Sequence, residues 1–123
     1  MELLVRPNLQ LIYVSDIVHS TAFYSKLFGS QPVFSSPRYV AFSVGENLLF
    51  SLWSGGSSPD IGVPRFSEIG IMLPSNEHVD ALYARWCQDE DIKISKELYT
   101  DVFGRTFLVV DPDGHVIRVC PLD

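Results

Sequence analysis

One order of secondary structure is written twice in this chain, and that repeat limits the fold more than any other feature. Residues 9–14, Leu-Gln-Leu-Ile-Tyr-Val, are apolar and β-branched and run into Ser15-Asp16, a helix N-cap signal. A helix over about 17–28 follows, with Val18, Ala22, Phe23, Leu27 and Phe28 on one stripe and Gly29 as its left-handed stop. Three extended runs complete the half, at about 32–36, 38–44 and 48–53, with Gly45-Glu46-Asn47 turning between the last two.

The only linker-like composition, Ser54-Gly55-Gly56-Ser57-Ser58-Pro59, falls near the midpoint. Beyond it the pattern returns. Residues 68–73 read as a strand, and Pro74-Ser75-Asn76-Glu77 begins a helix to about Cys87, with Val79, Leu82, Tyr83 and Trp86 at helical spacing. Extended runs at about 92–98, 105–110 and 115–120 finish the chain, the last entered through Asp111-Pro112-Asp113-Gly114. Both halves are β-α-β-β-β. Arg38 answers Arg105 at the start of the third strand, and Glu46-Asn47 answers Asp113-Gly114 in the final turn.

Composition sets outer bounds. A chain of 123 residues with 15 acidic and 9 basic side chains carries a formal charge of −6, and its scattered cations do not make the concentrated basic surface that nucleic acid requires. At this length folding buries about two thirds of the unfolded surface, so no disulfide framework is needed. Cys87 and Cys120 lie far apart without metal or redox spacing and are expected to be plain buried thiols in a reducing compartment. A cytoplasmic protein is expected, since no secretory leader or apolar stretch of about 18 residues is evident and no membrane partner is implied.

The tandem modules and the run Asp111-Pro112-Asp113-Gly114-His115-Val116-Ile117-Arg118, with the Val14-Ser15-Asp16 strand exit and Ala22-Phe23-Tyr24, resemble the vicinal oxygen chelate superfamily. That superfamily includes glyoxalases, extradiol dioxygenases, fosfomycin-modifying enzymes and bleomycin resistance proteins. The resemblance covers the whole chain. It implies an α+β fold of two tandem βαβββ modules, with curled mixed sheets around a cavity and helices on the outer faces. It also implies one domain over 1–123, with module one at about 8–54, a linker at about 55–66 and module two at about 67–121.

The metalloenzymes of that superfamily place one ligand near the start of each module's first strand and one on each last strand. Those positions fall on Leu9, Ser51, Glu68 and Arg118. Leu9 offers no donor, Ser51 is a poor ligand and Arg118 is a fixed cation. The resemblance therefore carries no metal and no other cofactor to this chain. Alternation of side chains puts Ile12 and Val14 toward the helix and leaves Leu9, Leu11 and Tyr13 on the concave side. Leu49, Ser51 and Trp53 share a face, as do Glu68, Gly70 and Met72, and again Val116, Arg118 and Cys120. In the superfamily's topology Glu68 and Arg118 would occupy adjacent strands of one module, so the resemblance implies that they pair across the former metal site, either as a structural ion pair or as part of a ligand site.

A cavity lined by Trp53, Tyr13, Leu11 and neighbouring leucines, extended by Phe42, Phe50 or Phe103, suits a flat aromatic ligand. A guanidinium such as Arg38 or Arg105 would hold a ligand carboxylate. Trp53 stands beside Ser54-Gly55-Gly56, where absent side chains let a ligand approach. Longer stretches, among them Pro37-Arg38-Tyr39-Val40-Ala41-Phe42, Trp53-Ser54-Gly55-Gly56 and Pro64-Arg65-Phe66-Ser67-Glu68, are similar to the phenazine antibiotic resistance proteins of the superfamily. Those are non-enzymatic homodimers that sequester a griseoluteate-type phenazine. The resemblance implies a metal-free binding protein with site residues Trp53, Arg38, Tyr13, Leu11, Phe42, Ser51, Glu68, Phe103 and Arg118. The competing expectation is an enzyme, either a metal-dependent glyoxalase-like isomerase or a phenazine-modifying activity with Glu68 as base.

Overall fold

The computed structural model describes residues 3–122. The chain divides after Pro59 into two compact units, each an α+β module with one helix packed on one face of a four-stranded mixed sheet. In the first, β1 (Leu9–Tyr13) leads to α1 (Ile17–Phe28), then β2 (Phe34–Ser35), β3 (Tyr39–Gly45) and β4 (Leu48–Trp53). In the second, β5 (Glu68–Leu73) leads to α2 (Asn76–Cys87), then β6 (Lys93–Asp101), β7 (Gly104–Val110) and β8 (Val116–Pro121). The strand orders are β1-β4-β3-β2 and β5-β8-β7-β6. In each sheet the first strand pairs in parallel with the last and the other pairings are antiparallel. The repeat in the sequence is thus a repeat of topology.

Local chemistry sets the helix ends. The Asp16 carboxylate accepts from the Val18 and His19 amides at 3.1 Å each, satisfying two N–H groups that have no partner inside the helix. Gly29 closes α1 in the left-handed region, at φ 64°. Ser75 caps α2 by accepting from the His78 amide. Strand ends depart from expectation at two places. β2 shrinks to two residues, whereas β6 runs on to Asp101 because the Val102-Phe103 turn lets Asp101 pair with Gly104.

Each helix covers one side of its own sheet. In the first unit Tyr24 packs tilted against Phe50 at 4.9 Å, and Phe28 meets Phe50 and Phe42 edge-on at 5.3 and 5.5 Å. Ile12, Val14 and Leu52 complete this core. In the second, Tyr83 and Trp86 pack on Phe107, over Val109, Ile117 and Val119, which are all fully buried. Large rings fill these interfaces, where their burial contributes most to stability.

Neither cysteine is in a disulfide, and only Cys120 is buried. The expectation that Cys87 is buried is corrected, because it is the last residue of α2, one step round from Trp86, whose ring takes the inward direction. No helix among the described residues is long and apolar enough to cross a membrane.

The turn that enters β8 is built around a buried carboxylate. Asp111 accepts from the amides of Asp113 and His115 at 2.8 Å each. Arg65 then ties the preceding segment to it, donating to the carbonyls of Asp60, Val63 and Asp113. The motif that carried the family resemblance is therefore a self-satisfied turn that sets where β8, and with it Arg118, begins.

Candidate functional site

The faces turned away from the helices hold the chemistry. In the first unit that face carries Leu9, Leu11 and Tyr13 of β1, Leu49, Ser51 and Trp53 of β4, and Tyr39 and Ala41 of β3. The register places Tyr13 opposite Trp53 and Trp53 opposite Tyr39, so three aromatic rings form one row across three adjacent strands. Phe34, opposite Ala41, extends the row, its ring 6.0 Å from that of Tyr39. Tyr13 is 45% exposed and Trp53 is partly exposed.

Polar satisfaction is complete beside the row. The Tyr39 hydroxyl and Ser51 Oγ are hydrogen-bonded at 2.9 Å, and Ser51 is fully buried. A buried hydroxyl left alone would cost about 1–3 kcal/mol, so this bond also holds the Tyr39 ring over the sheet. Gly55 and Gly56 lie against the row. A Cβ on Gly55 would stand 2.3 Å from the Trp53 ring, and one on Gly56 would stand 2.7 Å from the Tyr13 ring. Only glycine lets this backbone lie on the two rings.

The second unit's corresponding face is ionic. Arg118 donates from Nε and Nη2 to the two oxygens of Glu68, at 2.7 and 3.1 Å. Its Nη1 donates to the Tyr99 hydroxyl at 3.2 Å, and Tyr99 donates in turn to Asp101 at 3.0 Å. The Phe103 ring lies 5.4 Å from the guanidinium, and Lys96 Nζ lies 4.1 Å over the Tyr99 ring. The Arg118 fork holds the Glu68 carboxyl below its ordinary value, outweighing partial burial. Asp101 is lowered chiefly by the Val102 amide and then by Tyr99. Arg118 is pushed upward by Glu68.

Several of the expected site residues do meet. Leu11, Tyr13, Ser51 and Trp53 share the aromatic face, while Glu68, Arg118 and Phe103 share the ionic one. Phe42 is a correction: its ring is fully buried on the helix side against Phe28 and lines no open face. Arg38 is exposed in the bend just before β3, where its carbonyl accepts from the Ser54 amide at 2.9 Å. Arg105 also belongs to the helix side, where Nε meets Asp80 of α2 at 3.1 Å. Tyr39, Phe34, Tyr99 and Asp101 were missed. Tyr39 carries a signal in the sequence, since it directly follows Arg38 and begins an extended run.

At the four positions where the resemblance would set metal ligands, the donors do not fit an ion. Leu9 has none, Ser51 Oγ is engaged by Tyr39, Glu68 is held by Arg118, and Arg118 is itself a cation. Among the described residues no group of three or more His, Cys, Asp or Glu side chains gathers around a common point.

Comparison with known proteins agrees with this architecture. Residues 6–119 match the Glyoxalase/Bleomycin resistance protein/Dioxygenase superfamily. The chain is 58% identical over 121 residues to the phenazine antibiotic resistance protein EhpR of Enterobacter agglomerans, covering 97% of this chain and 94% of that protein. It is 31% identical over 108 residues to a trivalent organoarsenical cleaving enzyme of Bacillus sp. (strain MD1), covering 83% of this chain and 64% of that enzyme. A glyoxalase-related enzyme from Fulvimarina pelagi superposes with a TM-score of 0.78 at 19% identity, over 97% of this chain and 89% of that one, a likeness of fold. The repeated βαβββ topology, the Asp111 turn and the match over nearly the whole chain together place this protein in the Glyoxalase/Bleomycin resistance protein/Dioxygenase superfamily.

Proposed function

We propose that this chain confers resistance by binding and sequestering a planar aromatic antibiotic, a phenazine-type tricycle bearing a carboxylate, without a metal and without chemical change. The observation that carries this reading is the row Tyr13, Trp53 and Tyr39 across the open face of the first unit. Three rings in register offer a flat tricycle a platform on which stacking adds about 0.5–1.5 kcal/mol per pair beyond area burial. The 58% identity to a phenazine antibiotic resistance protein supports the same ligand class. The donor set at the four metal-ligand positions supports binding over a metal-assisted isomerisation.

The functional form in this reading is a homodimer in the cytoplasm. Leu9 and Tyr13 on the first open face and Met72 on the second are 49%, 45% and 61% exposed in the single chain, and a second copy would cover them. Two cysteines outside any disulfide suit a reducing compartment. Nucleic acid and membrane are not partners here.

Titration with phenazine-1-carboxylic acid and phenazine-1-carboxamide, followed by tryptophan emission, tests the proposal. Saturable quenching near micromolar ligand, about −8 kcal/mol, is expected. Recovery of both compounds at unchanged mass after long incubation is expected as well. Absence of quenching far above micromolar would refute binding, and a changed product mass would favour the enzyme.

A further inference from the structure

We infer that Phe34 is a specificity-determining residue of the ligand seat, an end wall that meets the distal ring of a tricycle and that a bicycle does not reach. This rests on the phenazine-binding reading and says how the first unit distinguishes the number of fused rings. Every residue that carries it lies in that unit.

Tyr39 supplies the floor. It stands opposite Trp53, yet its hydroxyl bonds Ser51, two residues back along β4, at 2.9 Å. The ring therefore leans along the sheet instead of standing up from it. Ala41 and Ser51, the small facing pair of the next row, are 2% and 0% exposed although they belong to the open face. Ser51 is thus a positioning residue that holds Tyr39 down over this row.

Phe34 supplies the wall. It lies opposite Ala41 on β2, and its ring stands 6.0 Å from that of Tyr39, tilted by 51°. A planar ligand stacked on Tyr39 brings its C–H edge toward the tilted Phe34 face, the edge-to-face arrangement that ring quadrupoles favour. The same quadrupole orients the ligand: the negative face of Phe34 disfavours a carboxylate, so the unsubstituted ring goes to that end. Neighbouring strands lie about 4.8 Å apart, so β4, β3 and β2 span about 10 Å, the reach of three fused rings rather than two. At the other end of the row the backbone of Gly55 and Gly56 already lies on Trp53 and Tyr13. Phe34 is 54% exposed on a strand of two residues, so the core does not depend on it.

The experiment titrates phenazine-1-carboxylic acid and quinoxaline-5-carboxylic acid, the same molecule without its distal carbocycle, into the native protein, Phe34→Ala and Phe34→Tyr. Tryptophan emission reports binding, and urea denaturation checks that each variant folds. Phe34→Ala is expected to weaken the phenazine about two- to twelvefold, the range of one lost ring contact, and to change the quinoxaline less than twofold. Phe34→Tyr keeps the aromatic face and should stay within twofold of native on the phenazine. Unchanged phenazine affinity in Phe34→Ala overturns the inference and leaves the phenazine-binding reading intact. So does an equal loss on both ligands, or a Phe34→Ala protein that fails to fold, since either makes the ring a structural element. Should the quinoxaline bind too weakly to titrate, the phenazine decides alone: loss in Phe34→Ala with retention in Phe34→Tyr supports the wall, and any other pattern overturns it. Failure of the phenazine to bind the native protein overturns the phenazine-binding reading and the inference with it.

Discussion

Gly55 lies so close to the Trp53 indole that a Cβ on it would overlap the ring, standing 2.3 Å from Cζ2 and 2.5 Å from Cη2. The neighbouring Gly56 stands in the same relation to Tyr13, at 2.7 Å from Cε2. These glycines follow directly on β4 and carry no regular secondary structure. The segment that leaves the first unit thus begins by covering two of the three rings in the aromatic row.

Gly55→Ala is therefore expected to push this segment off Trp53. The indole becomes more solvated, and tryptophan emission should shift to longer wavelength. Trp86, only 5% exposed, supplies a constant buried background. The unfolding midpoint should change little, because no strand or helix is interrupted. An unmoved emission maximum would mean that the backbone relaxes around the methyl and that the contact constrains nothing.

Trp53→Ala should weaken phenazine binding by about two- to twelvefold, the range that corresponds to a stacking contribution of 0.5–1.5 kcal/mol. Circular dichroism should remain native, since Trp53 ends β4 and is only partly buried. Affinity unchanged within error would remove Trp53 from the binding surface.

Phe42→Ala should behave in the opposite way. The ring is fully buried between its sheet and Phe28, and its loss leaves a cavity costing about 3–5 kcal/mol. Domains of this size are stable by about 5–15 kcal/mol, so urea denaturation should show a large fall in midpoint. A loss under about 1 kcal/mol would contradict the placement of Phe42 in the core.

Stability should fall in acid through Glu68. Arg118 holds the folded carboxyl below its ordinary value of 4.5. A depressed folded pKa contributes stability that is complete above the unfolded value and is lost as pH falls through the folded one. The contribution is therefore expected to be present at pH 7 and to fade below about pH 4.5. Glu68→Gln should flatten this part of the profile. Because the pair is partly exposed, the difference should be about 1 kcal/mol or less, and it should shrink further in high salt. An identical acid profile for the variant would show that the pair contributes nothing to folding.

Much of this molecule is legible along the chain. Both helices start and stop where Asp16, Gly29 and Ser75 say they should, because capping is a local exchange of hydrogen bonds. The two equal strand orders follow from two equal patterns. Strand alternation correctly sorts Ile12 from Tyr13, since the period of two is a property of the extended backbone itself, while the pairing of Glu68 with Arg118 was legible only through the strand order that the family resemblance implies.

What failed was the choice of face on β3. Phe42 stands opposite Phe50, whereas Tyr39 stands opposite Trp53, and preferring Phe42 hid Tyr39. A strand with apolar residues on both sides, Tyr39, Val40, Ala41 and Phe42, does not say which side the helix covers. Tyr99 and Asp101 were hidden for another reason. They lie on β6, separated from Arg118 by β7, and only the twist and order of the sheet bring a hydroxyl there within 3.2 Å of the guanidinium.

The sequence by itself determined the repeat, the caps and the alternation, because each depends on contacts within a few residues. The tertiary structure alone decided which residues of neighbouring strands stand beside one another on the open faces of the two sheets. It did so by register, which sets Tyr13, Trp53 and Tyr39 side by side and lays Glu68 across an empty glycine position onto Arg118. Register is a relation between strands distant in the chain, and burial of the apolar side of each strand beneath its helix, together with the turns, is what fixes it.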